Sequence, residues 1–120
     1  MRIEKDVVVM GSGGAGLSAA IVCAHHGLDV LVLEKTGHFG GATAWSGGNV
    51  WAPCNSLAAK AGLQDDRAAA ERYLETVVGP SINRELKSMF LDAAPAMVDF
   101  FQHHTAVQFE VQSRFSDNHM

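Results

Sequence analysis

After a charged opening segment, Val7 to Met10 is a wholly apolar, mostly β-branched run that closes at Gly11. A run without alternation predicts a parallel strand buried on both faces. From Gly14 to about His26 the pattern changes: Leu17, Ala20, Ile21 and Ala24 recur at helical spacing, and Gly27 stands where a left-handed C-terminal cap belongs. Val30 to Leu33 then predicts a second strand, ended by the charged pair Glu34 and Lys35. Strand, helix and strand within about 30 residues require a parallel pair with a right-handed crossover.

Thr36 to Leu63 lacks such a period. Gly37, Gly40, Gly41, Gly47, Gly48, Pro53 and Asn55 break it into a long loop, with one short helix expected near Ser56 to Ala61. A loop of this length in a compact domain is usually functional. Asp65 or Asp66 can cap a helix running to about Val78, stopped by Gly79 and Pro80. A further helical stretch begins near Ser81 or Asn83. Pro95 is expected to split it into roughly Arg84 to Ala93 and Pro95 to His104, because its nitrogen cannot donate and its ring clashes with the preceding turn. Val107 to Val111 is read as a third strand.

Composition narrows the functional classes. A chain of 120 residues with 48% apolar content is globular and of single-domain size. The formal charge is −4 and the nine Lys plus Arg are scattered, so no basic stripe offers itself to nucleic acid. No apolar segment reaches membrane-spanning length and no secretory signal opens the chain, which makes a cytoplasmic location the expectation. Cys23 and Cys54 form neither a disulfide framework nor a metal-binding spacing and read as reduced thiols. The pairs His25-His26 and His103-His104 sit near predicted helix ends, where capping or exposure is the ordinary role, so no metal site is assigned.

Gly11-Ser12-Gly13-Gly14-Ala15-Gly16 satisfies G-x-G-x-x-G, but with twelve glycines in the chain the string alone is weak. Its place between a strand and a helix gives each glycine a task. Gly11 permits the sharp turn, Gly13 lets a pyrophosphate approach the backbone, and Gly16 lets the helix lie close to the strands. The helix N-terminus adds unpaired N–H groups and a positive dipole end. Glu34, twenty-three positions after Gly11, stands where a carboxylate can accept hydrogen bonds from adenosine ribose hydroxyls, and its charge disfavours the 2′-phosphate of NADP.

The segment Gly40-Gly41-Ala42-Thr43-Ala44-Trp45-Ser46-Gly47-Gly48 resembles the G-G-x-T-x-x-S-G-G motif of the fumarate reductase and succinate dehydrogenase flavoprotein superfamily, and is especially similar to its 3-ketosteroid dehydrogenase branch. The helical region containing Ala94-Pro95-Ala96-Met97-Val98-Asp99-Phe100 extends the resemblance over nearly the whole chain. Glycines here let backbone N–H groups face pyrophosphate and flavin, and Thr43 and Ser46 add hydroxyls three residues apart. The resemblance therefore implies FAD rather than NAD, held by Gly11, Ser12, Gly13, Gly14, Ala15, Gly16, Glu34, Lys35, Gly40, Gly41, Thr43, Ser46, Gly47 and Gly48. It implies an α/β fold in which a Rossmann-like FAD-binding β-α-β unit with its flavin loop (1–64) precedes a helical extension (65–120). It also implies flavin-dependent dehydrogenation or reduction of a carbon-carbon bond next to a carbonyl, on a small-molecule substrate such as a steroid or a dicarboxylate.

Members of that superfamily are several times longer, so the chain is expected to be an incomplete N-terminal fragment. No catalytic acid or base is assigned. Tyr73 falls in a predicted helix as a packing residue, and the stretch from Ser113 to His119, which resembles a region carrying a tyrosine in steroid dehydrogenases, offers Phe115 or Asn118 instead. Trp45 and Trp51 are divided evenly between packing beside the flavin or substrate and anchoring their loop, and Phe90, Phe100 and Phe101 are read as helix core. The competing reading is a non-catalytic truncated dinucleotide-binding module. An NAD-dependent enzyme is the third.

Overall fold

The computed structural model of the protein describes residues 2–79 and 83–112. They form an α/β structure of two compact units that divide between Val50 and Trp51. In the first unit β1 (Val7–Met10) pairs in parallel with β2 (Val30–Leu33), with Val7 opposite Val30 and Met10 opposite Leu33. The pair is fastened at its start: Lys5 Nζ reaches both Asp29 carboxylate oxygens at 2.9 Å, and Asp29 N–H donates to Asp6 Oδ2 at 2.8 Å. At its far end Gly11 N–H donates to Leu33 O at 2.7 Å, which extends the ladder into the glycine turn.

The connecting helix α1 (Gly14–His25) ends as its sequence predicts, with Gly27 at φ +83° and Leu28 N–H donating back to Cys23 O. Its packing face differs from the expected one. Ala20 is buried, but Ile21 and Ala24 are exposed. Gly16 sets this rotation: a β-carbon there would lie 2.0 Å from Gly11 O and 3.4 Å from Val9 Cγ1, so the row through Gly16 and Ala20 must face the strands. Ile21 and Ala24 then turn outward.

The expectation that β1 is buried on both faces is also corrected. Val7 and Val9 are half-buried, whereas Val8 is 53% and Met10 85% exposed. Only alternate side chains of β1 are covered among the described residues.

The second unit has three helices and a small apolar cluster to which α2 and α4 contribute. Asn55 caps α2 (Ser56–Lys60), Asp66 caps α3 (Arg67–Val78) and Asn83 caps α4 (Arg84–His104), each side chain accepting from a first-turn N–H. Ala52, Ala94 and Val98 are buried together, with Leu57, Met97 and Phe109 against them. Trp51 stacks on Phe90 at 5.7 Å and meets Tyr73 at 5.0 Å between ring centroids. Arg67 on α3 binds Asp92 and Ser88 on α4, and Lys87 on α4 binds Glu75 on α3.

Two expectations about this region fail. Pro95 does not split the last helix, which is continuous over 21 residues. A helix-interior proline costs about 3 kcal/mol, but continuity keeps Leu91, Ala94, Val98 and Phe101 on one buried stripe, and burying a Leu, Val or Phe side chain stabilises by about 1.5–3 kcal/mol each. The stripe outweighs the missing hydrogen bond. Val107 to Val111 forms no strand. Its donors find side chains instead of a ladder: Phe109 N–H donates to Gln102 Oε1 at 2.7 Å, and Val107 N–H to Thr105 Oγ1 at 3.0 Å.

Candidate functional site

The turn that leaves β1 requires its glycines. Gly11 sits at φ +95°, a region that side chains rarely adopt, and it redirects the chain into the first turn of α1. At Gly13 a β-carbon would meet nothing within 4 Å, so the backbone is open to approach from outside. The first N–H groups of α1 have no carbonyl partner within the helix, and Gly13, at the N-cap, supplies no side-chain acceptor. This is the geometry in which a helix end receives an anion.

The segment that begins at Gly40 folds back onto this turn. Gly14 N–H donates to Thr43 Oγ1 at 3.0 Å, and Gly40 N–H donates to both Ser12 O at 3.1 Å and Ser12 Oγ at 3.0 Å. Contact is close: a β-carbon on Gly41 would lie 3.1 Å from Gly13 Cα, and one on Gly14 would lie 2.9 Å from Thr43 Oγ1. Gly41 to Trp45 forms a 3-10 turn inside the stretch whose glycines predict a loop. Ser46 Oγ closes it by donating to Thr43 O at 2.8 Å, and accepts from Gly48 N–H at 3.2 Å.

Glu34 joins the same cluster from the end of β2. Its Oε2 accepts from Ser12 N–H at 3.0 Å and from Ser12 Oγ–H at 2.6 Å, and its Oε1 accepts from Thr36 N–H at 3.0 Å with Thr36 Oγ1 at 3.1 Å. The Ser12 hydroxyl first, then the Thr36 and Ser12 N–H groups and the Thr36 hydroxyl, lower the Glu34 pKa from 4.5 to about 2 against a small opposing desolvation. Glu34 is therefore an anion at any ordinary pH. A shallow, open depression of about 430 Å³ beside it is lined by Met10, Gly11, Leu33, Glu34 and Lys35.

Gly11, Ser12, Gly13, Gly14, Glu34, Gly40, Gly41 and Thr43 are thus brought together, with Ala15 and Gly16 in the first turn of α1. Lys35 lines the depression, and Ser46, Gly47 and Gly48 follow the 3-10 turn without a hydrogen bond to the glycine turn. Trp45 lies 93% exposed, while Trp51 packs against Tyr73 and Phe90 in the second unit, as an anchoring residue would. Cys54 donates its N–H to Asp65 at 2.6 Å; desolvation and then the charges of Asp65 and Asp66 push its thiol up, away from a reactive thiolate. The stretch Ser113 to His119, with Phe115 and Asn118, lies outside the described residues.

Two features escaped the sequence reading. Thr36 is one, although a Thr two positions after a strand-terminal carboxylate fits the known local side-chain-to-backbone pattern. The role of Ser12 as the meeting point of the turn, the acid and the loop is the other; its partners lie 22 and 28 positions away, beyond any local signal.

The family described as FAD binding domain matches residues 6–119. A 3-oxosteroid 1-dehydrogenase of Mycobacterium tuberculosis is 46% identical over 105 residues, covering 88% of this chain and 19% of the relative. A 4-oxocyclohex-2-ene-1-carboxylate 5-dehydrogenase of Sinomonas cyclohexanicum is 41% identical over 118 residues, 98% of this chain and 20% of the relative. Among solved structures, the 3-ketosteroid delta1-dehydrogenase of Sterolibacterium denitrificans in complex with 1,4-androstadiene-3,17-dione matches with a TM-score of 0.73 at 36% identity, over 82% of this chain and 17% of that one. The chain spans about a fifth of the length of the relatives it matches.

Proposed function

The chain belongs to the FAD binding domain family, and from that premise we propose that it is the cofactor-holding portion of an oxidoreductase that forms or reduces a carbon-carbon double bond next to a carbonyl. The observation that carries this reading is the folding of the Gly40 to Thr43 segment onto the Gly11 to Gly16 turn, which sets two glycine-rich backbones side by side at the N-terminus of α1. The residues present suit FAD: the approach at Gly13 is open, and an ionised carboxylate stands at the end of β2.

In the proposed arrangement the N–H groups of the first turn of α1 beyond Gly14, whose own N–H is held by Thr43 Oγ1, bind the pyrophosphate, with Gly13 giving access. Glu34 accepts from the adenosine ribose, and Lys35 borders that end of the cofactor. Gly40, Gly41 and Thr43 bring the flavin loop to the pyrophosphate, and Ser46, Gly47 and Gly48 extend it toward the flavin. Bound FAD would supply hydride acceptance from carbon, or hydride donation in the reverse direction. Domain limits of 1–64 for the cofactor unit and 65–120 for the helical extension go with this reading as functional limits, while the compact units divide earlier, between Val50 and Trp51.

The names of the matched dehydrogenases share a ring ketone, which favours a cyclic ketone, steroid included, as the substrate class. The test is to purify the longest natural form of the protein, record its visible spectrum and assay it with a 3-ketosteroid and with a cyclohexanone carboxylate in the presence of an artificial electron acceptor. Bound flavin and turnover of either ketone are expected. A purified protein with no flavin absorbance after incubation with FAD would contradict the reading.

A further inference from the structure

Ser12 is the buried polar residue of the described structure, 2% exposed. Its hydroxyl has one proton and two lone pairs. The proton goes to Glu34 Oε2 at 2.6 Å, and a lone pair accepts from Gly40 N–H at 3.0 Å. Its N–H is also directed to Glu34 Oε2. Neither donor is left for a phosphate, and the side chain has no open face through which to meet one.

The two oxygens of Glu34 are correspondingly unequal. Oε2 takes two bonds from Ser12. Oε1 takes the Thr36 N–H, and the single proton of Thr36 Oγ1, 3.1 Å away, is divided between Oε1 and His38 O, the nearer acceptor at 2.7 Å. Oε1 therefore keeps an acceptor site for an incoming hydroxyl.

We propose that Ser12 is a positioning residue of the cofactor site: it pins Oε2 of Glu34 and the start of the flavin loop to the glycine turn, and leaves Oε1 to accept from the ribose diol. This rests on the FAD reading above, and it changes the part expected of Ser12 from a direct cofactor contact to a support acting through Glu34 and Gly40. Hydrogen bonds to a charged acceptor are among the stronger ones, so loss of the hydroxyl should be felt at the ligand even though the ligand never touches it.

The test is FAD titration of the full chain and of Ser12→Ala, Glu34→Gln and the double variant, with folding checked by circular dichroism. Ser12→Ala should weaken FAD binding about tenfold, and the same change made in the Glu34→Gln background should cost less than about threefold, since coupled residues are not additive. A Ser12→Ala chain that binds FAD as the unaltered chain does, or that loses the same factor in both backgrounds, would overturn the proposal. If alanine prevents folding, Ser12→Cys, similar in size and a much weaker donor, should give the same loss.

An independent arm follows the Glu34 carboxyl by NMR. Lys35 and His38 are the titratable neighbours on its own segment, and the packed stretch from Met10 to Ala20 presents none. Replacing Ser12 should therefore raise the Glu34 titration from about 2 toward 4.5; an unmoved titration would refute the pinning whatever the FAD result. Failure of the unaltered chain to bind FAD, with the titration shifted in Ser12→Ala, would refute the cofactor reading and with it the ribose half of the proposal.

Discussion

The Ser12 hydroxyl and its neighbours hold the Glu34 carboxyl well below the ordinary carboxylate range, and the direction has a consequence for stability. Its folded pKa, about 2, lies below the ordinary 4.5, so the unfolded chain binds the proton more readily. The stabilisation from its hydrogen bonds is fully present above about 4.5 and is lost as pH falls toward 2. Denaturant titrations across that window should show stability falling more steeply for the unaltered chain than for Glu34→Gln; parallel curves would mean the bonds from Ser12 and Thr36 are not held in solution. Replacing Glu34 by Arg should weaken adenine-dinucleotide binding at least tenfold, because it removes the acceptor and reverses the charge, as read by quenching of flavin fluorescence. The sequence made Glu34 visible through its distance from Gly11 and its place after an apolar run. The internal use of its oxygens was not visible, because Ser12 and Glu34 meet only when the two strands pair.

Among the elements, β1, α1 and β2 were legible because three independent signals agree there: apolar runs, helical spacing, and glycines at both ends of the helix. What local pattern could not set is which way α1 turns, since apolar residues surround it and the contact between Gly16 and Gly11 O decides the face. Gly16→Ala should accordingly cost about 1–3 kcal/mol by overpacking and also weaken cofactor binding, measured by chemical denaturation and FAD titration. Wild-type stability in that variant would show that the turn and helix do not meet as described. Pro95 illustrates the opposite error, in which a strong local rule yields to packing. Because α4 already tolerates the proline, Pro95→Ala restores a backbone donor without moving the buried stripe and should stabilise the chain by about 1–3 kcal/mol. A destabilised variant would indicate that the ring itself fills space the helix needs. At 107–111 the apolar spacing suggested a strand, but a strand needs a partner edge, and Gln102 and Thr105 satisfy those donors first.

For the molecule as a whole, the α/β architecture and the FAD assignment were both reachable from residues 7 to 48, where the chemistry of a dinucleotide site imposes strict demands on backbone and spacing. The described residues from Trp51 onward are held by general packing and by ion pairs such as Arg67 with Asp92, and nothing in such contacts names a substrate. No helix among the described residues is long and apolar enough to cross a membrane. The chain covers about a fifth of the length of its relatives, and the glycine turn with the loop folded onto it lies wholly within that fifth. The most direct test of that cradle is titration of the purified chain with FAD and, separately, with NADH, followed by flavin and nicotinamide fluorescence. The account predicts saturable binding of FAD, at least tenfold tighter than NADH and weakened by Glu34→Arg; equal or preferential binding of NADH, or no saturable binding of FAD, would contradict it.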